Sequence, residues 1–149
     1  TDATPADLIA TDFAPFAALA DLPMAMTAHL VYRSIDDRPA TTSAAVIGVV
    51  RQTIGFQGLL MTDDIGMGAL SGSVPARAAA AIAAGCDVVL HCNGDPAEMA
   101  GVVAAARRLT PAAEARAERA LAARQPPGAL DVAATEAALA ALMPGFVDG

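Results

Sequence analysis

The sequence contains no lysine, no tryptophan and only two cysteines. All nine basic residues are arginines, against 16 aspartates and glutamates, and the formal net charge is -7. Binding to nucleic acid needs clustered basic side chains that neutralise phosphates, so we expect no nucleic-acid partner. A magnesium-dependent phosphotransfer site built on Asp63 and Asp64 would also need a nearby lysine. That function therefore ranks last.

Aromatic residues make up 3% of the chain, although hydrophobic residues make up 55%. Alanine and small aliphatic residues therefore dominate, which favours closely packed helices. Asp, Arg or Gly interrupts every apolar run before it reaches the roughly 20 residues that span a bilayer, so we expect no membrane partner. At 149 residues the chain has the size of one domain. Its first residues resemble neither a signal peptide nor a Met start, and we expect a segment of a longer protein.

The two cysteines, Cys86 and Cys92, allow one disulfide at most. On one extended segment their separation would be about 20 Å, well beyond the roughly 4.4 to 6.8 Å between bridged Cα atoms. We therefore expect two buried free thiols in a reducing compartment, which favours a cytoplasmic location. The spacing of these cysteines around His91 lacks the paired pattern of a zinc site, so no metal is expected.

Apolar stretches predict three strands, at residues 22–28, 59–62 and 87–90. Helices are predicted between and after them, at residues 12–20, 42–55, 75–84, 96–109, 111–123 and 131–142. This alternation predicts βαβ units and a parallel sheet, and so an α/β fold. Three parallel strands leave open edges and cannot close a barrel, so we expect part of a larger α/β unit.

Polar residues follow each predicted strand, where parallel α/β folds bind their ligands: His29, the pair Asp63 and Asp64, and residues 91–93. Side chains alternate across a strand, so only one acid of the pair would face a site. For Asp64 we favour a structural role, capping the following helix through backbone N–H groups. His29 fits a structural hydrogen bond as well as a ligand contact. Met67 fits a core position or the border of a pocket.

Glycines follow the acid pair, at Gly66 and Gly68. They lack the third glycine and the strand-turn-helix context of a dinucleotide fingerprint, so a nicotinamide cofactor is rejected and no cofactor is expected.

Four ordered blocks resemble the C-terminal half of the catalytic barrel of bacterial family 3 glycoside hydrolases, over about residues 7–121. They are residues 23–32 (PMAMTAHLVY), 36–43 (DDRPATTS), 55–67 (GFQGLLMTDDIGM) and 84–93 (AGCDVVLHCN). Within that family the similarity is greatest to the β-N-acetylglucosaminidases of peptidoglycan recycling. Ordered blocks at matching separations are more specific than any single motif.

The resemblance implies a (β/α)8 barrel of the TIM type, of which this chain supplies about three strand-helix units and terminal helices. It implies a retaining glycosidase that removes terminal β-linked N-acetylglucosamine from peptidoglycan-derived muropeptides. Asp63 would be the nucleophile and Asp64 a supporting residue. His29 and Met67 would border the sugar pocket.

The family's sugar-gripping residues and its His-Asp general acid/base pair belong to an upstream half with no counterpart here. We therefore expect residues 1–124 to be part of the barrel, completed by that missing half and inactive alone. The Pro-Pro-Gly break opens a separate helical tail, residues 125–149. The alternative is a non-catalytic α/β binding or scaffold module that covers its open edges by self-association.

Overall fold

The computed structural model describes residues 1–143. In this range the chain forms helices packed on a parallel sheet, with a 3-10 turn at Ala40–Thr42 before α3. The strands are β1 Met24–Met26, β2 Leu59–Asp64 and β3 Val88–Leu90. The helices are α1 Pro5–Ala10, α2 Ala14–Ala18, α3 Ala44–Gln52, α4 Val74–Ala84, α5 Pro96–Ala106, α6 Pro111–Ala122 and α7 Val132–Leu142.

Strand β2 is the centre of the sheet, whose order is β1-β2-β3 with both pairs parallel. Met24 pairs with Leu59 and Met26 with Met61, and the register toward β3 shifts between Met61 and Asp64. The predicted α/β class with a parallel sheet is therefore confirmed. The (β/α)8 barrel stays a prediction.

The two faces of the sheet differ in what covers them. Leu60 faces α3 and α4, where it is 1% exposed in a core cluster with Ile47 and Ala81. Met24 and Met26 lie on the opposite face and are 43% and 51% exposed. Met61, which pairs with Met26, shares this second face.

Several helix ends lie where the sequence predicts them. The Ser43 hydroxyl caps α3 by accepting a hydrogen bond from the Val46 N–H at 3.1 Å, and Thr110 caps α6 in the same way. Gly85 ends α4 with a φ of +113°, a left-handed conformation that favours glycine. These predictions of helix ends are confirmed.

Other elements differ from the predictions. Helix α1 was not predicted, although Thr4 caps it and Pro5 opens it. Strand β1 has three residues instead of the predicted seven. Helix α5 ends at Ala106, three residues earlier than predicted, because Arg107 leaves the helical conformation with a φ of +62°.

The polar loop after β1 is held by Asp36. Its carboxylate accepts a hydrogen bond from the Ser43 hydroxyl at 2.6 Å and forms an ion pair with Arg38 at 3.0 Å. The Ser43 hydrogen bond, followed by those from Arg38, holds the pKa of Asp36 well below its usual range. This contact joins the loop to the start of α3.

Strands β2 and β3 are tied together at their amino ends by the buried carboxylate of Asp87. It accepts hydrogen bonds from the Leu60 N–H at 2.9 Å, Arg51 at 2.7 Å and Arg116 at 2.8 Å. Its side chain is 5% exposed, and all its partners lie in other elements. This ion-pair network fixes α3 and α6 against the sheet.

The tail after the Pro-Pro-Gly break contains α7, which begins after its cap Asp131 and has no buried residue. The last six residues of the predicted 125–149 unit lie outside the described residues. Within residues 1–143, the longest helix has 12 residues, and no helix combines the length and hydropathy that a bilayer crossing requires.

Candidate active site

Strand β2 carries the acid pair within the sheet. The sequence predicts a strand that ends at Thr62 with both acids in a loop, and this is wrong by two residues. Asp64 pairs with Leu90 of β3, and the Ile65 N–H donates to the Leu90 carbonyl oxygen at 3.0 Å. The neighbouring strand therefore holds the backbone of both acids extended.

Asp63 is partly exposed and has few partners. Its Oδ1 accepts a hydrogen bond from the backbone N–H of Asp64 at 2.8 Å, which within residues 1–143 is its only hydrogen bond to the protein. The carboxylate lies at the carboxyl end of the central strand, β2. It is therefore placed to contact a ligand outside the sheet.

Asp64 has a different environment. Its side chain is 19% exposed, and its Oδ1 accepts hydrogen bonds from the N–H groups of Gly66 at 2.9 Å and Cys92 at 3.2 Å. The expectation that Asp64 caps the next helix is wrong, because α4 begins only at Val74 and follows Ser73. Asp64 instead joins the turn after β2 to the end of β3.

His29 connects the ends of β1 and β2. Its Nε2 lies 2.9 Å from the backbone carbonyl oxygen of Asp64 and its Nδ1 lies 2.8 Å from the Thr41 hydroxyl. A carbonyl oxygen only accepts, so Nε2 carries the proton of this hydrogen bond. Both ring nitrogens thus have partners in the protein, and the ring lies against the backbone of Asp64. Its contact with a sugar stays a prediction.

Met67 lies in the segment between β2 and α4, and its side chain is 45% exposed. Arg77 of α4 holds this segment by donating from Nη1 to the carbonyl oxygens of Ile65 at 2.9 Å and Met67 at 3.0 Å, and from Nε to that of Gly72 at 3.0 Å. Sequence reasoning missed Arg77, although an arginine one turn into the helix after a glycine-rich loop was a usable signal. The role of Met67 stays a prediction.

Residues 91–93 are predicted from the sequence as polar residues that follow a strand, but no role in the site is predicted for His91. Its ring lies between the carboxylates of Asp64 and Glu98. Cys92 is exposed and Cys86 is buried, and both are free, so the expectation of two buried thiols is wrong for Cys92. In the part of the chain that the structure describes, no group of three His, Cys, Asp or Glu residues could hold a metal ion.

The sequence model described as "Glycosyl hydrolase family 3 N terminal domain" matches residues 1–123. The chain belongs to glycosyl hydrolase family 3. Residues 1–123 include β1, β2 and β3 and the site residues described above, His29, Asp63, Asp64, Met67 and His91. The family resemblance seen in the sequence is therefore confirmed.

Curated relatives of this family 3 chain are described as beta-hexosaminidases. The protein from Alkalilimnicola ehrlichii is 49% identical over 87 residues, which are 55% of this chain and 25% of the relative. That from Chromobacterium violaceum is 41% identical over 109 residues, 70% of this chain and 30% of the relative. The family 3 chain thus spans 25% to 30% of the length of these relatives.

Solved family 3 structures share the fold. NagZ from Neisseria gonorrhoeae in complex with N-trifluoroacetyl-D-glucosamine has a TM-score of 0.69 and 27% identity, covering 93% of this chain and 39% of NagZ. The beta-N-acetylglucosaminidase from Thermotoga maritima has a TM-score of 0.67 and 28% identity, covering 84% of this chain and 31% of the enzyme.

Proposed function

We propose that this chain is the part of a retaining β-N-acetylglucosaminidase that carries the nucleophile, Asp63. The observation that supports this most directly is the contrast within the acid pair. Asp64 accepts hydrogen bonds from the backbone N–H groups of Gly66 and of Cys92, 28 residues away, whereas Asp63 accepts one within residues 1–143, from its neighbour, and is partly exposed. In this proposal β1, β2 and β3 are adjacent strands of a (β/α)8 barrel, and Asp63 lies at the rim of its mouth.

The chemistry has two displacement steps. In the first, an ionised Asp63 oxygen attacks the anomeric carbon of the sugar, the bond to the glycosidic oxygen breaks, and that oxygen takes a proton from a general acid. In the second, water attacks the anomeric carbon, gives up a proton to the same residue, and releases Asp63 as a carboxylate. Two inversions give net retention of configuration.

The general acid belongs, in this proposal, to the upstream half of the barrel. General acid-base help is typically worth about 10²- to 10⁴-fold in rate, and sugar contacts from that half add to it. The chain alone is therefore expected to be inactive. His29 and Met67 are proposed to border the sugar pocket, beside the acid pair.

The proposed substrate is a terminal β-linked N-acetylglucosamine residue of a peptidoglycan-derived muropeptide. The names of the beta-hexosaminidase relatives and the glucosamine derivative bound to the gonococcal NagZ support the sugar. The muropeptide and a cytoplasmic location rest on the sequence resemblance and on the free cysteines, and both remain proposals.

The decisive experiment is trapping of the covalent intermediate in the intact protein. A fluorinated N-acetylglucosaminide with a good leaving group should form a stable ester, and peptide mapping should locate it on Asp63. Asp63→Ala should abolish labelling, whereas Asp21→Asn, which removes an exposed carboxylate before β1, should leave it unchanged. An adduct on another residue would overturn the assignment of the nucleophile.

A second candidate, a self-associating binding module, is favoured by the edges of the sheet. Within the described residues β1 and β3 each pair only with β2, and Met24 and Met26 are exposed beside them. Sedimentation of the intact protein separates the two functions. A chain of 14.9 kDa that forms a stable dimer and binds sugar without hydrolysing it would favour the module.

A further inference from the structure

The residue after β3, His91, has a buried side chain that the mechanism above does not use. The side chain is 6% exposed. Its Nε2 lies 3.3 Å from Oε2 of Glu98, and its Nδ1 lies 3.9 Å from Oδ1 of Asp64. Neither nitrogen makes a hydrogen bond of good geometry within residues 1–143, and both are shielded from solvent. His91 is thus a buried polar ring between two carboxylates.

Each nitrogen of this ring faces one carboxylate, Nε2 that of Glu98 and Nδ1 that of Asp64. Buried polar groups are normally paired, because an unpaired one loses its hydration without compensation. Glu98 lies in the first turn of α5, and its side chain is 36% exposed, which leaves it room to turn toward the ring.

The Asp64 carboxylate links this ring to the candidate nucleophile. The same Oδ1 that faces His91 accepts the N–H groups of Gly66 and Cys92, so it fixes the turn after β2 against the end of β3. The backbone N–H of Asp64 donates to the Asp63 carboxylate. A continuous series of contacts therefore runs from Glu98 through His91 and Asp64 to Asp63.

We propose that His91 is a positioning residue for this site. Its ring, which faces Glu98 of α5 on one side, restrains the Asp64 side chain on the other and thereby the orientation of the Asp63 carboxylate. The effect on catalysis rests on the proposed function, whereas the restraint on Asp64 is a property of the fold.

Steady-state kinetics of the intact protein on an aryl N-acetyl-β-glucosaminide test the catalytic effect. His91→Leu should lower kcat about tenfold with KM changed less than about twofold, because it misplaces the nucleophile without removing a sugar contact. His91→Gln retains an N–H donor and should recover most of kcat. Thr110→Ala, which removes the cap of α6, should lower the melting temperature without lowering kcat. Equal kcat in His91→Leu and wild type would overturn the proposal.

Hydrogen exchange tests the restraint on Asp64 without any substrate. The amide of Gly66 should exchange faster in His91→Leu than in wild type or Thr110→Ala, because its acceptor on Asp64 is less fixed. Unchanged exchange there would overturn the positioning role even if activity fell. If the wild-type protein hydrolyses no N-acetylglucosaminide but the Gly66 amide exchanges faster in His91→Leu, the proposed function is wrong and the restraint on Asp64 stands.

Glu98 gives a further test of the contacts around His91. If Glu98 acts through His91, the losses of melting temperature in Glu98→Gln and His91→Leu should not add in the double variant. Additive losses would mean that the two side chains act independently, which contradicts the proposal.

Discussion

Each end of the sheet carries an aspartate, and the surroundings of the two carboxylates differ. At the amino end, the Asp87 carboxylate is 5% exposed and is occupied by Arg51, Arg116 and the Leu60 N–H. At the carboxyl end, Asp63 is partly exposed and accepts one hydrogen bond from its neighbour. The difference separates a carboxylate that stabilises the fold from one that is available for chemistry.

The amino and carboxyl ends of β2 and β3 also differ in how their acids contribute to the packing of the strands. A buried carboxylate, that of Asp87, holds β2 and β3 together where the strands begin, whereas Asp63, whose carboxylate accepts one hydrogen bond within residues 1–143, lies where β2 ends. In α/β barrels the amino ends of the strands serve stability and the carboxyl ends serve catalysis. In this chain the hydrogen bonds of the two ends differ, because the Asp87 carboxylate is paired with Arg51 and Arg116 and the Asp63 carboxylate has no such ion pair within residues 1–143.

The largest expected effect comes from Asp63→Asn. In the intact protein this change should lower kcat at least about 10³-fold, because an amide cannot form the glycosyl ester, while the free energy of unfolding stays within about 0.5 kcal/mol of wild type. Enzyme kinetics and urea unfolding measure the two quantities. Asp21→Asn serves as the control for the loss of one exposed carboxylate, and activity retained by Asp63→Asn would remove the contrast between the two ends.

The opposite pattern is expected for Asp87→Asn. This change leaves the charges of Arg51 and Arg116 without their partner in a largely buried network, and should lower the free energy of unfolding by about 3 to 5 kcal/mol. Activity per folded molecule should change little, as judged at a temperature where the variant remains folded. A loss of activity without a loss of stability would mean that the amino end takes part in catalysis.

Two glycines flank β2, Gly58 before the strand and Gly66 after it. A Cβ on Gly58 would lie 2.7 Å from the carbonyl oxygens of Leu22 and Pro23, which are backbone atoms with little freedom. Gly58→Ala should therefore lower the free energy of unfolding by about 1 to 3 kcal/mol, measured in urea, with kcat nearly unchanged.

At the other end, a Cβ on Gly66 would lie 2.7 Å from Nδ2 of Asn93 and 3.1 Å from Oδ1 of Asp64, which are side-chain atoms that can rotate away. Gly66→Ala should cost less stability than Gly58→Ala and lower kcat about tenfold by displacing Asp64. If Gly58→Ala and Gly66→Ala lose stability and activity in the same ratio, the two ends of β2 do not differ in their effects on stability and on activity.

The sequence predicts features whose cause is local. Ser43, Thr110 and Gly85 mark helix ends because a capping hydroxyl or a left-handed glycine acts within a few residues. The acid pair at the end of β2 could be found from its place after an apolar run. The strand itself continued two residues further because pairing with Leu90 depends on a different part of the chain.

The partners of the carboxylates could not be predicted in this way. Asp87 binds Arg51 and Arg116, which lie 36 and 29 residues away, and Asp64 meets the N–H of Cys92 at a separation of 28 residues. These contacts depend on the parallel register and on its shift between Met61 and Asp64. No pattern in the sequence encodes that shift, so the structural role of Asp64 was assigned to the wrong N–H groups.

The smallest effect concerns the two cysteines, which also lie at opposite ends of β3. Cys86 precedes the strand and is 4% exposed, and its thiol lies 3.7 Å from the Thr41 carbonyl oxygen, whereas Cys92 follows the strand and is exposed. Iodoacetamide at pH 8 should therefore modify Cys92 in the native protein and Cys86 only after unfolding, as followed by intact mass. Equal rates would show that the amino end opens as readily as the carboxyl end.

The burial of Cys86 should also make the free energy of unfolding depend on pH. Burial, and next the charge of Asp87, raises the pKa of the Cys86 thiol to about 12. In the unfolded chain the pKa of this thiol is about 8.5, so its contribution to the free energy of unfolding is complete below that pH and declines as the pH rises toward the pKa of the folded state. At pH 9 wild type should lose about 1 kcal/mol more than Cys86→Ala, relative to pH 7, in urea unfolding. The two proteins differ only at this buried thiol. If their free energies of unfolding changed equally with pH, the folded protein would accept the Cys86 thiolate as readily as the unfolded chain does, which contradicts the burial of the thiol.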